Sequence, residues 1–266
     1  MIISVPTRRR LFSALPILLL TMASASGQGG RSEDNVLFPH PIPIPRMLIG
    51  PDAGWGYWMN MGSFGVTDRT LPCATFTDGN GHGPTVGARA IVYLTHSLFV
   101  SPRLRYELRP GNFATPLAGE PIRNQANEVV TMEQEAEAKG GFGVVSFDAM
   151  VGLHPFGEGF YVTGGGSAGL IISASFDYTE RILAPVGVVY DDTRKTTHTP
   201  GPDRKFENAE SFSLALRGGI GYLHRMGRFT LNPEFFYSRS LTPLLNDPDS
   251  MDQQGFVAVI GLLWAL

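Results

Sequence analysis

From about residue 54 onward the chain alternates apolar and polar residues with period two. This is the spacing of a β-strand, whose successive side chains point to opposite faces. Eight such segments are present. Residues 54–62 set Trp55, Tyr57, Met59 and Met61 on one face, and residues 84–94 align Val86, Ala88, Ala90, Val92 and Leu94. Residues 98–108 place Leu98, Val100, Pro102, Leu104, Tyr106 and Leu108 opposite Phe99, Ser101, Arg103, Arg105 and Glu107. Residues 142–153 set Val145, Phe147, Ala149, Val151 and Leu153 against Ser146 and Asp148. Residues 160–178 group Ala168, Leu170, Ile172, Ala174, Phe176 and Tyr178 against Ser167, Gly169, Ile171, Ser173, Ser175 and Asp177. Residues 211–223 oppose Phe212, Leu214, Leu216, Ile220 and Tyr222 to Ser213, Ala215, Arg217, Gly219 and Gly221. Residues 228–240 oppose Phe229, Leu231, Pro233, Phe235 and Tyr237 to Thr230, Asn232, Glu234, Phe236 and Ser238. The eighth segment, GFVAVIGLLWAL at 255–266, puts Phe256, Ala258, Ile260, Leu262, Trp264 and Leu266 on one face and Val257, Val259 and Leu263 on the other.

The connections sharpen this pattern. Segments two and three are separated by residues 95–97, four and five by 154–159, six and seven by 224–227. The others are long: 63–83, 109–141, 179–210 and 241–254. Strict alternation of short and long connections is the signature of an up-and-down barrel with all its long loops at one end. The charges agree. Arg89, Arg103, Arg105, Arg217, Glu107, Asp148 and Glu234 all fall on the face opposite the bulky apolar set. In a membrane barrel the apolar face meets lipid and the charges fill the lumen; in a soluble barrel the faces exchange roles. The sequence therefore predicts an all-β protein: an eight-stranded antiparallel up-and-down transmembrane β-barrel with long external loops and short periplasmic turns. Eight strands leave an interior that side chains nearly fill. Arginine–carboxylate pairs are expected there, and the apolar Val257, Val259 and Leu263 should make part of the lumen packed.

Composition narrows the alternatives. A net charge of −3 excludes a strongly basic nucleic-acid binder. Gly 32 and Pro 20 suit strands and turns more than a helical bundle. Arg8, Arg9 and Arg10 precede an apolar run from Leu11 to Met22 and an Ala23-Ser24-Ala25 cleavage pattern, which reads as a secretory signal peptide over 1–25. Residues 26–50 carry Pro39, Pro41, Pro43 and Pro45 and read as a Pro-rich extended lead-in, because proline cannot donate to a sheet ladder. Residues 51–266 are then the barrel domain. Cys73 is the sole cysteine, so no intramolecular disulfide forms.

Two strands repeat each other: Val100-Ser101-Pro102-Arg103-Leu104-Arg105-Tyr106 parallels Leu231-Asn232-Pro233-Glu234-Phe235-Phe236-Tyr237. Both set a proline, a charged inward residue and an outward tyrosine in matching places, and the tyrosines suit an interfacial aromatic girdle. This P-(R/E)-x-x-Y strand, with the unit FDAMVGLHPFGEGFYVTGGGSAGLI at 147–171, resembles the PorT-like outer-membrane β-barrel family. The resemblance covers most of residues 50–266. It implies an eight-stranded outer-membrane barrel and carries no catalytic residues. One departure is the ending on Leu266 with Trp264 two before it, where outer-membrane families commonly end in Phe.

Candidate chemistry is sparse. Gly165-Gly166-Ser167-Ala168-Gly169 matches the nucleophile elbow and overlaps a G-x-G-x-x-G pattern, but both need a helix after the turn and here a strand continues. His96, His154 and His224 lie at or beside the short turns, and no metal-ligand spacing links the six histidines. Asp247, Asp249 and Asp252 could offer oxygens to calcium, as could the weaker Asp78-Gly79-Asn80-Gly81-His82, but neither completes an EF-hand loop. No catalytic, cofactor-binding or metal residues and no cofactors are therefore assigned. The expectation is a non-enzymatic protein of the cell outer membrane with a structural or surface-binding role. Its partners are the lipid bilayer, the barrel-assembly machinery and an unknown extracellular ligand or protein at the long loops, with no nucleic acid. The alternatives are a small porin-like channel or solute-transport barrel, a soluble ligand-binding barrel, and a barrel-rim lipid enzyme.

Overall fold

The computed structural model describes residues 46–66, 74–123, 128–156, 159–190, 194–206, 208–246 and 249–266. The signal-peptide reading and Cys73, Asp247 and Pro248 lie outside them. The described residues hold eleven β-strands and no helix. Eight are long: β1 (Met47–Val66), β2 (Ala74–Tyr93), β3 (Leu98–Pro116), β5 (Val129–Leu153), β6 (Phe160–Ala184), β8 (Phe212–Tyr222), β10 (Phe229–Ser240) and β11 (Ser250–Ala265). Each pairs antiparallel with its neighbours in the order β1-β2-β3-β5-β6-β8-β10-β11. The last strand returns to the first, with Trp55 opposite Ala258 and Leu48 opposite Ala265. The sheet is thus a closed ring of eight, and it keeps no free edge along the ring. Three short strands lie off the ring: β4 (Glu120–Arg123) on β5, β7 (Thr197–Lys205) on β6, and β9 (His224–Met226) on β10.

The short turns fall where the pattern placed them. Thr95 Oγ1 accepts from the Ser97 and Leu98 amides at 3.3 and 3.0 Å, which closes the β2–β3 hairpin. Gly227, with φ of 66°, turns the chain between β9 and β10. The long connections are different from expectation. β5 and β6 each run 25 residues, whereas a tilted membrane strand needs only about 9–11. Most of the stretches read as loops continue the sheet beyond any bilayer-sized band. Their side chains still alternate, but with polar residues outside.

The outer face of the band is apolar: Trp55, Leu104, Phe147, Leu170, Leu216, Ile260 and their neighbours are exposed. The interior splits into layers. At the short-turn end Leu48, Ile91, Phe99, Tyr161, Leu223 and Leu263 pack together. Phe99 fits because Gly152 faces it; a Cβ there would stand 2.0 Å from the Phe99 ring. At the opposite end a larger cluster holds Phe64, Phe76, Phe113, Phe142, Phe176 and Tyr178, with Phe206, Leu244 and Leu245 folded in from the inter-strand segments. Ala209 and Leu245 form a β-bridge there, and so do Leu245 and Met251.

One side-chain assignment is corrected. Phe176 and Tyr178 were expected on the outward face with Leu170 and Ile172. The β5–β6 ladder shifts register between Gly143 and Val144, leaving Ile172 as the extra residue. A bulge adds one residue to one strand and flips every side chain beyond it. Ala174, Phe176 and Tyr178 therefore point inward, and Ser173, Ser175 and Asp177 point out.

Candidate functional site: a charged lumen between two apolar seals

Between these layers lies the chemistry of the molecule. β3 contributes Arg103, Arg105, Glu107 and Arg109, β1 contributes Asp52, β2 Arg89, β5 Asp148, β8 Arg217 and β10 Glu234. All nine are buried. They face inward because each occupies the alternate positions of its strand, with apolar residues between them on the lipid-facing side.

The pairs link strands across the bore. Arg89 bonds Asp52 at 2.6 Å and also meets Glu234 and Asn232. Arg103 reaches the other oxygen of Glu234 at 2.7 Å. Arg217 joins Asp148 at 2.7 Å and Glu107 at 2.8 Å, and Glu107 also takes Arg109 at 2.6 Å. Arg105 bonds Asp52 at 3.2 Å and lies 3.9 Å from Asp148. Neutral groups complete the set: Tyr161 donates to Glu234 at 2.9 Å, and Gln253 connects Arg109 to Asn60. Aromatic faces fill what remains. Arg105 lies 4.7 Å over Phe236, and Arg109 lies 4.7 Å over Trp58. A buried guanidinium is tolerated only when paired and hydrogen-bonded, and these contacts supply both conditions.

Of the charges picked out in the sequence, Arg89, Arg103, Arg105, Arg217, Glu107, Asp148 and Glu234 converge in this network. Asp52 and Arg109 were missed. The alternation predicts a first strand from residue 54 and a third ending at 108, but β1 begins at Met47 and β3 reaches Pro116. The signal was present, since both positions continue the inward alternation of their strands. Val257, Val259 and Leu263 point inward and are buried.

The other candidates go elsewhere. Ser167 sits inside β6, paired with Asp148 and Ala215, so no elbow forms. His154 is buried against Phe99, Tyr161 and Tyr93, with Nδ1 3.0 Å from the Phe160 carbonyl. His96 and His224 are exposed. Asp249 accepts from the Gly65 amide at 3.0 Å and from Asn208 at 3.2 Å, which ties two inter-strand segments to β1. Asp78 accepts from the Gly62 amide at 3.0 Å, and Asp252 is exposed. No group of three or more metal-ligating side chains occurs among the described residues. Beyond the apolar band, burial and the Glu180 carboxylate push the Tyr178 phenol up from its ordinary value.

A closed ring of eight antiparallel strands, apolar outside and filled with paired charges inside, defines a transmembrane β-barrel. No family model and no curated protein sequence matches the chain. Among solved structures it is similar to Ail, the attachment invasion locus protein of Yersinia pestis, at 10% identity over 82% of this chain and 98% of that one, with a TM-score of 0.34. It is also similar to the outer membrane protein AlkL in lipid bilayers, at 12% identity, 89% and 97% coverage and a TM-score of 0.35. A third is the outer membrane protein OprG from Pseudomonas aeruginosa, at 10% identity, 84% and 96% coverage and a TM-score of 0.27.

Proposed function

We propose that the chain is a non-enzymatic outer-membrane β-barrel protein whose lumen is closed to solutes and whose projecting sheet is its contact surface. The contact of Arg103 with Glu234 across the bore carries this reading. A water-filled path would have to pass that pair, its neighbours and both apolar clusters. Export by the N-terminal segment 1–25 and the apolar outward face of β11, on which assembly machinery can act, support the outer membrane as the location. The P-(R/E)-x-x-Y strands support kinship with PorT-like barrels. A structural or surface-binding role follows from where the chain spends its polar surface: on strand extensions and inter-strand segments beyond the band.

Liposome swelling tests the reading. Vesicles carrying the folded full-length protein should not swell in isotonic small sugars or amino acids. Swelling above that of protein-free vesicles contradicts a closed lumen. Recovery of the protein in an aqueous extract without detergent contradicts the membrane location.

A further inference from the structure

Every guanidinium in the lumen meets a carboxylate, yet the charges do not balance. Among the described residues the buried network holds five arginines, Arg89, Arg103, Arg105, Arg109 and Arg217, and four carboxylates, Asp52, Glu107, Asp148 and Glu234. Arginine keeps its proton in proteins, so one positive charge is left over. Protonating a carboxylate would only enlarge the surplus. The pairing shows where it sits. Asp52 holds Arg89 at 2.6 Å, Glu234 holds Arg103 at 2.7 Å, Glu107 holds Arg109 at 2.6 Å and Asp148 holds Arg217 at 2.7 Å. Arg105 has only second shares. Its Nη2 lies 3.2 Å from the Asp52 oxygen that Arg89 already takes, and its Nε lies 3.9 Å from the Asp148 oxygen that Arg217 takes. Neither Nε nor Nη1 of Arg105 makes a hydrogen bond among the described residues, although the side chain is buried. Ser146 stands directly opposite Arg105 in the β3–β5 ladder, and its buried hydroxyl makes none either. Arg217, whose Nε is also unbonded, shares the Phe236 ring with Arg105, at 5.3 and 4.7 Å.

We propose that the lumen holds one small monovalent anion, a halide such as chloride, against Arg105 Nη1 and the Ser146 hydroxyl. The inference rests on the reading of the lumen as closed, because only a charge shut off from bulk water needs a counterion inside the protein. Nη2 goes to Asp52 and Nε lies towards Asp148, which leaves Nη1 for the anion. A surplus of one calls for one negative charge, and a divalent oxyanion would overshoot it. Room is also short. A Cβ at Gly87, opposite Arg105 in the β2–β3 ladder, would stand 2.7 Å from Arg105 Cγ, and Phe236 covers the guanidinium face. Water alone does not meet the need. Asp52 Oδ1, Asp148 Oδ1 and Glu107 Oε1 also lack a partner among the described residues and suit water. Water satisfies such hydrogen bonds but leaves the net charge buried.

Crystals of the full-length protein refolded in sodium bromide test this through the anomalous signal of bromine. A peak within hydrogen-bond reach of Arg105 Nη1 is the expected result, and a lumen without a peak overturns the site. Stability gives a second readout. Protein refolded in sodium chloride should lose its heat-modifiable gel shift at a temperature about 5 °C higher than protein refolded in sodium gluconate of equal ionic strength, because gluconate is too large to enter and a bound ion stabilises the folded chain. Arg105→Met removes the surplus charge, so it should fold and lose that difference. Ser146→Ala should shrink it. A wild type without the difference, or a folded Arg105→Met that keeps it, overturns the site. Should Arg105→Met fail to fold, the bromide map of the wild type decides. These results overturn the anion site alone and leave the closed lumen standing. Vesicle swelling in small sugars overturns both.

Discussion

Arg103 Nη1 and Glu234 Oε1 lie 2.7 Å apart, although their strands, β3 and β10, stand four places apart in the ring of eight, on opposite sides of the bore. No wider separation is possible in such a barrel. The two residues also hold the same place in the repeated P-(R/E)-x-x-Y strands, one as the cation and one as the anion. The pair therefore spans the bore at that level.

Removing one partner should be costly. Glu234→Leu leaves Arg89 and Arg103 without the carboxylate they share, and stranding a buried charge costs about 3–5 kcal/mol. Urea unfolding in lipid vesicles, read by tryptophan fluorescence, should show a loss of that order. Glu234→Leu combined with Arg103→Met should recover part of it, because two sites that share a contact are not additive. Equal losses in the single and double variants would argue against the direct pair.

The outward face should reject charge. Leu104→Arg places a guanidinium in the middle of the apolar band, where lipid-facing arginine costs about 2–4 kcal/mol. On a soluble surface the same change would be near neutral. The same unfolding assay distinguishes the two cases.

The short-turn seal depends on a glycine. A Cβ at Gly152 would collide with the Phe99 ring, and Phe99 is fully buried among its neighbours. Gly152→Val should destabilise the barrel by about 1–3 kcal/mol through overpacking, read as a lower temperature of the heat-modifiable gel shift. Phe99→Ala in the same background should relieve the collision at the expense of a cavity.

Closure between β1 and β11 is open to cross-linking. Ala53 faces Ile260 in the ladder, and directly opposed residues have Cβ atoms about 4.5–5.5 Å apart. Ala53→Cys with Ile260→Cys should form an intramolecular disulfide under mild oxidation and migrate faster in a denaturing gel. Ala53→Cys with Leu262→Cys, one step along the same face, should cross-link far less.

Much of this was legible in the chain. Period-two alternation and the short–long rhythm of connections identified all eight ring strands. They also placed Arg89, Arg103, Arg105, Arg217, Glu107, Asp148 and Glu234 together inside. What remained hidden has three physical causes. Strand ends were cut short where glycine and proline dilute the pattern, which lost Asp52 beside Pro51 and Arg109 beside Pro110. The bulge at Ile172 leaves no mark on the sequence, since Phe176 and Tyr178 continue the apolar parity of Leu170 while their faces reverse. Finally, alternation says which side a residue faces, but not which partner it meets across the bore. The pairing of Arg103 with Glu234 emerges only when the ring closes.

Planar-bilayer recording tests the central claim most directly. The full-length protein, inserted and confirmed as folded by heat-modifiable migration, should give no stable current steps at moderate voltage and high salt. Steps of uniform size, reproduced across preparations and abolished by heat denaturation, would contradict a lumen closed by paired charges and two apolar seals.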